Sequence, residues 1–253
     1  LEARFEVVWG GMGAVAEAFG VACTAANDID GAIRWYERAV NANDGSASVK
    51  SSEQLANLRV RQAWKGIAAA IDQKRPPADL PARLSAAREV IRSAVNTLQA
   101  LLVVGATAER ESLLGSAHKR LHQLERAAGQ AQAARAAAQQ MAEHYRRAEA
   151  QARTAGSTGW FYPALNRLAA ELVAHADTPG WRGFDAERTT GLRQTLETQR
   201  RDAPDFWSVV GLPELATLEA LAAGDLARQL PAITAVYEDL HQRAGTCLLY
   251  TSP

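Results

Sequence analysis

The chain has 253 residues, 47% of them hydrophobic and 22% charged, with 28 basic side chains balanced by 28 acidic ones. That length can bury a core in one large domain or two ordinary ones. The even charge balance argues against a protein that wraps DNA or another polyanion, and the two cysteines, Cys23 and Cys247, cannot build a disulfide framework. No apolar run reaches the roughly 18–20 residues that span a bilayer: the longest, Leu98 to Ala108, is broken by Gln99, Gly105 and Thr107. Alanine makes up about a fifth of the chain and arginine outnumbers lysine several-fold. This composition favours helix and points to GC-rich, bacterial coding.

In chain order, apolar residues recur at three- and four-residue steps. Over Asp30–Ala42 they are Ile33, Tyr36, Ala39 and Val40, with Asp30 as the expected N-cap. Over Leu80–Val104 they are Leu84, Ala87, Ile91, Ala94, Leu98 and Leu101, and over Glu109–Ala128 they are Leu114, Ala117, Leu121 and Leu124. Leu226, Leu230, Ile233, Tyr237 and Leu240 mark a last helix over Asp225–Gln242, capped by Asp225. No segment alternates with period two, so no strand is predicted. Tight links at Asn27–Asp30, Gly129 and Gly224-Asp225 join neighbouring helices, and longer breaks fall at Asn43–Ser48, Lys74–Pro81, Ala155–Gly159 and Thr178–Phe184. Short links within pairs and longer ones between them predict about ten helices in about five αα-hairpins.

The first pair carries a recognisable pattern: Phe19-Gly20 in one helix, a turn at Asn27–Asp30, then Ala32, Tyr36 and Ala39 in the next. It resembles a tetratricopeptide repeat, in which small residues let paired helices approach and an aromatic fills the space toward the next hairpin. Close approach is expected at Gly20 and Ala32. Asp44 stands where the family usually has proline. A second match runs from Leu114-Gly115 through Gly129 to Met141, Tyr145 and Ala148, on longer helices. A third runs from Leu215 to Leu240 with Gly224 in the turn and Tyr237 in the aromatic position, and the segments Glu53–Arg59 and Trp160–Arg167 read as further first helices. The spacing departs from the standard 34-residue period, so the chain resembles divergent bacterial tetratricopeptide-repeat proteins. The resemblance implies an all-α fold, a right-handed solenoid of about five antiparallel helix hairpins, over residues 1–246.

Several groupings could carry chemistry. His118 and His122 lie one helical turn apart with Glu125 nearby, but Lys119 and Arg120 place positive charge beside them, so a solvated polar face is favoured over a metal site. Gly115 stands alone and makes no phosphate loop, and no nucleophile elbow or paired Cys/His nucleophile is present. Cys23 is expected to be a buried, inert thiol, and Glu109 and Glu111 to meet the dipole at a helix start. Catalytic residues, metal ligands and cofactors are therefore expected to be none.

The resemblance does imply a groove lined by the first helix of each pair. Its register places Ser112, Ser116, Lys119 and Arg120 at that surface, with Asn57 and Arg61 on an earlier helix and Asn166 on a later one. Asn, Lys and Arg at such positions clamp acidic chain ends by charge-assisted hydrogen bonds. The expected partner is a protein or peptide, with no nucleic acid and no membrane, and the expected location is the cytoplasm. The alternative is a regulatory or sensor region of a larger bacterial effector, such as a caspase-like protease or kinase. Trp160-Phe161-Tyr162 and Phe206-Trp207 are expected to pack between hairpins, and Trp181 and Phe184 to fold back onto helices. At the ends, Leu1 in place of Met suggests a start further upstream. The apolar Cys247–Pro253 stretch resembles a translated sequencing adapter and is expected to be non-native, after a helix stop at Ala244-Gly245.

Overall fold

The computed structural model describes residues 9, 11–71, 73, 75–175, 178 and 180–244. Ten α-helices and one 3-10 turn make up most of these, and no strand occurs among the described residues. Residues 245–253 lie outside the described residues, and with them the expected stop at Gly245 and the expected non-native tail. The helices fall into two compact units. One is built on residues up to 106 together with 123–131, the other on 107–122 together with 132 onward.

In the first unit, α1 (Gly13–Ala25) and α2 (Ile29–Asn41) form a hairpin. Its turn is held by Asn27 at φ 56°, a left-handed conformation that asparagine tolerates better than most residues. The N-cap of α2 is Asp28, not Asp30: the Asp28 carboxylate accepts from the Gly31 backbone N–H at 2.9 Å. Asp30 sits within the first turn and accepts instead from Gln62 on the next helix at 2.6 Å. Ala32, Ile33, Tyr36 and Ala39 are buried as their period predicts, and Trp35 joins them at 2% exposure. Val40 is 41% exposed, so the apolar stripe ends one residue earlier than expected.

Close approach occurs at Gly20, but its neighbour is Tyr36 and not Ala32. A Cβ on Gly20 would lie 2.9 Å from the Tyr36 ring. Ala32 instead packs with Ile33, Tyr36, Leu55 and Leu58, which ties the hairpin to α3 (Val49–Ile71). Phe19 stacks on Trp35 at a centroid distance of 4.6 Å. Asp44, the departure from the family's proline, caps α1 from a distance. Its carboxylate accepts from the Gly13 N–H at 3.0 Å while the Ser46 hydroxyl accepts from the Ala14 N–H at 2.8 Å.

Glu17 of α1 serves the start of α3 in the same way, accepting from the Ser48 N–H and hydroxyl, both at 2.6 Å, and from Ser51 at 3.0 Å. Partial burial pushes the Glu17 carboxyl up, but the Ser48 and Ser51 hydrogen bonds outweigh it and leave the group below its ordinary range. Helix α4 (Leu80–Val104) has the predicted bounds and packs on α3. It buries Leu84, Ala87, Ile91, Ala94 and Leu98 as expected, with Leu101 partly covered. Arg88 of α4 grips Glu125 with two bonds of 2.7 and 2.8 Å, and the Glu125 side chain is only 3% exposed.

The remaining helices are α5 (Ala108–Ala127), α6 (Ala131–Thr154), α7 (Phe161–His175), α8 (Ala186–Asp202), α9 (Phe206–Ala222) and α10 (Leu226–Ala244). In the second unit the α5–α6 pairing repeats the Gly20–Tyr36 device, since a Cβ on Gly115 would lie 2.8 Å from the buried Tyr145 ring. Met141, Tyr145 and Ala148 recur at the spacing of Ala32, Tyr36 and Ala39, and all three are buried. Glycines 129 and 224 turn two hairpins at φ 71° and 68°, where a Cβ would strain the backbone. Phe161, Leu165, Leu168, Leu192, Leu196, Leu215 and Leu218 form the core of α7, α8 and α9. There a Cβ on Gly211 would meet Leu196 at 2.7 Å.

Helix α10 departs from its predicted face. Ile233 is buried, but Leu230 is 50% and Tyr237 37% exposed. Asp225 spends its carboxylate on the Arg228 and Gln229 side chains. Trp207 and Phe206 pack edge-on, as do Tyr162 and Trp207. Trp181 stacks on His175 and meets Phe184 edge-on, so that loop folds back as expected; Pro179 within it lies outside the described residues.

Candidate functional site

Of the residues expected to line a groove, Asn57 and Arg61 are half-buried on α3 in the first unit. Ser112, Ser116, Lys119, Arg120 and Asn166 belong to the second. Asn166 donates to the Tyr162 carbonyl of its own helix at 3.0 Å, which ties its amide to α7. Ser116, Lys119 and Arg120 lie along one stretch of α5 and are half-buried. The Ser116 hydroxyl hydrogen-bonds Tyr145, and burial raises the Tyr145 phenol far above its ordinary value.

The structure adds partners that periodicity did not show. Glu214 of α9 and Tyr162 of α7 share the electrostatic field of Lys119 and Arg120. Burial lowers the Lys119 ammonium, Arg120 beside it lowers it further, and Glu214 partly offsets both. Burial raises the Glu214 carboxyl, offset in part by Lys119. Tyr162 is raised by desolvation and then by Glu214, although 41% of the residue stays open to solvent. Tyr237 of α10 also lies in the field of Glu214 and hydrogen-bonds Thr217. These groups offer two cations, one carboxylate and two half-exposed phenols, a set suited to reading charge on a bound chain. The signal for Glu214 was absent from its own helix, where it stands between Pro213 and Leu215 with Glu219 as the other acid of α9.

His118 overturns its expected place, whereas Glu111 stands in the first turn of α5 as expected but is buried there. His118 is 8% exposed, so it is a core residue and not part of a solvated face. Its ring stacks on His144 at 5.3 Å between centroids, and neither of its nitrogens has a hydrogen-bond partner among the described residues. Burial, then the neighbouring His144, lowers it from 6.5 to about 4. Glu111 is 3% exposed; it accepts from His144 Nδ1 at 2.7 Å, so it acts as a buried hydrogen-bond acceptor beyond any helix-dipole role. His122 points elsewhere, donating to the Ala134 carbonyl at 2.9 Å. Among the described residues, no group of three or more His, Cys, Asp or Glu side chains is placed to hold a metal ion. Cys23 is only partly buried, against Ala32–Leu58 on one side and Trp35–Ala39 on the other. No helix among the described residues is long and apolar enough to cross a membrane.

Paired helices with glycine seated under tyrosine, and polar residues on the first helix of a pair, define a helical-repeat protein of the tetratricopeptide type, a class that generally mediates protein interactions. More specifically, the model of the family Tetratricopeptide Repeats-Sensor matches residues 22–171, more than half of the chain, and the chain belongs to that family. The matched span runs from within α1 to within α7 and includes the Gly115–Tyr145 contact, whereas Glu214 lies beyond it. No curated protein and no solved structure matches the chain.

Proposed function

We propose that this chain is a scaffold region that binds a protein or peptide and carries no catalysis of its own. The observation that supports this is the half-buried row Ser116, Lys119 and Arg120 on α5, facing the field of Tyr162 and Glu214. Two adjacent cations on a rigid helix hold a carboxylate with little loss of side-chain freedom. Ser112 and Asn166 extend the proposal to the flanks of the row, and Asn57 and Arg61 are proposed as a separate polar face on α3 of the first unit. The partner is a protein segment and not a nucleic acid or a membrane, and the setting is the cytoplasm of a bacterium. The test is a pull-down of partner proteins with the chain carrying Lys119→Glu and Arg120→Glu together. Partner recovery falls if these residues clamp an acidic segment; unchanged recovery removes them from the proposal.

A second reading is favoured by the family's description as a sensor. Here the same region regulates an effector domain, a caspase-like protease or a kinase, encoded beside it. Recovery of the flanking gene sequence separates the two: an adjoining effector domain supports regulation, and its absence supports a free-standing adaptor.

A further inference from the structure

The first and last hairpins turn in the same way. At the α1–α2 turn the N–H groups of Ala26, Asn27 and Asp28 donate to the carbonyls of Ala22, Thr24 and Cys23. At the α9–α10 turn those of Ala223, Gly224 and Asp225 donate to Glu219, Leu221 and Ala220. The flanking helices end and begin in step, at Ala25 and Ile29 in one hairpin and at Ala222 and Leu226 in the other. The two hairpins therefore correspond residue for residue. In this register Ile233, and not the expected Tyr237, stands where the first hairpin has Tyr36. Tyr237 takes the place of Val40, and the two are 37% and 41% exposed.

Two pairs of residues differ in a way that matters for packing. Gly20 with Tyr36 becomes Thr217 with Ile233, a trade of small and large for two of middle size. Phe19 and Trp35, whose rings stack at 4.6 Å, become Ala216 and Ala232, with nothing added in return. Both alanines line a cavity of about 1080 Å³ among α9, α10 and the end of α8, walled by Phe206, Pro213, Ile233 and Val236. The last hairpin is thus open where the first is filled by an aromatic pair.

Apolar walls with no atoms opposite them forfeit dispersion contacts that a guest of matching shape restores. A volume at the top of the roughly 300–1,000 Å³ range of small-ligand pockets suits two side chains of a chain segment better than one small molecule. The charged lining selects further. Asp205 is occupied as the N-cap of α9, accepting from the Ser208 N–H at 2.6 Å, and Asp239 is engaged as well. Arg200, at the α8 side, is exposed and closes no ion pair among the described residues. The open charge at the cavity edge is therefore positive.

We propose that the α9–α10 cavity takes two aromatic side chains from an acidic segment of a partner protein, with a carboxylate of that segment meeting Arg200. The site is additional to the Lys119–Arg120 row and rests on the reading of the chain as a protein-binding scaffold.

The test uses the full chain and three fluorescein-labelled peptides of equal length, read by fluorescence anisotropy. One is acidic with Phe and Trp four residues apart, so that the rings share a helix face. The second is acidic with alanine at both places, and the third is basic with the aromatics kept. The wild type binds the first at least about tenfold more tightly than either of the others. Ala216→Phe with Ala232→Trp rebuilds the aromatic pair of the first hairpin and abolishes that preference, with helix content checked by circular dichroism. Should this double variant not fold, Val236→Trp narrows the cavity from one wall and has the same effect. Arg200→Glu removes the preference for acidic over basic aromatic peptide, while Lys119→Glu with Arg120→Glu leaves it intact. Equal binding of the aromatic and alanine peptides, or undiminished binding by a folded, filled variant, overturns the proposal. So does dimerisation of the wild type that filling abolishes, which assigns the cavity to a second copy of the chain, and so does equally tight binding of free N-acetyltryptophanamide. If the wild type binds none of the three peptides, the cavity is not a docking site; the scaffold reading falls with it only if the pull-down above recovers no partner.

Discussion

Substituting alanine for glycine in a helix ordinarily stabilises it, by about 1 kcal/mol in backbone propensity. At Gly115 the structure predicts the opposite sign. The new Cβ would stand 2.8 Å from the ring of Tyr145, and that ring is 1% exposed and has nowhere to retreat. Overpacking a closed contact of this kind costs about 1–3 kcal/mol, so Gly115→Ala is expected to lose up to about 2 kcal/mol net. Gly66 supplies the internal control. It lies in α3 with no atom within 4 Å of a built Cβ, so Gly66→Ala keeps the propensity gain and pays no strain. The difference between the two variants is therefore the contact term alone, about 1–3 kcal/mol, because the propensity term cancels. Urea unfolding followed by circular dichroism at 222 nm, about the helix minimum, reads this difference. Stabilisation of Gly115→Ala equal to that of Gly66→Ala would refute the close approach, and with it the physical basis assigned to the repeat pattern.

Three further outcomes follow from the same geometry. His118 is neutral and buried, lowered from 6.5 to about 4 by burial first and by His144 second. The unfolded chain therefore binds the proton before the folded one does, so stability is full above pH 6.5 and falls by up to about 3 kcal/mol as the pH drops to about 4. His118→Leu should flatten urea midpoints across that window, and an unchanged pH profile would count against a buried neutral histidine. Glu125→Ala leaves Arg88 without its two-pronged partner and should cost about 3 kcal/mol, whereas Glu37→Ala, which breaks an exposed pair with Arg59, should cost less than about 1 kcal/mol. Equal effects on unfolding would place both pairs in water. Asp44→Ala removes the distant cap of α1 and should speed hydrogen exchange at the Gly13 and Ala14 amides, while exchange in α4 stays as it was.

Much of the architecture was legible in the order of residues, because a helix declares its buried face locally. The three- and four-residue steps of Leu84, Ala87, Ile91, Ala94 and Leu98 specify one stripe whatever lies opposite, and α4 has the bounds Leu80–Val104 read from the sequence. Gly20 and Gly115 were visible as small residues where paired helices approach, but the partner expected for Gly20 was Ala32, and only the packing set the Tyr36 and Tyr145 rings against the two glycines. The site was legible only in part. Lys119 and Arg120 stood out as adjacent charges on a first helix, but nothing in the neighbourhood of Glu214 linked it to them.

The sequence by itself determined that this chain is a succession of paired helices, and which residues on most of them turn inward. Only the tertiary structure decided which helix end or side chain each distant carboxylate serves. Asp44 reaches α1, Glu17 reaches the start of α3, and Glu125 meets Arg88. It also moved His118 from an expected polar face into the core, left Val40, Leu230 and Tyr237 outside that core, and set Glu111 at its helix start against His144. The reason is the range of the interactions. Backbone hydrogen bonds and side-chain stripes close within four residues, so local order specifies them. Pairing between charges on different helices depends on how far and at what angle the helices pack, and that is set by the sum of many side-chain contacts.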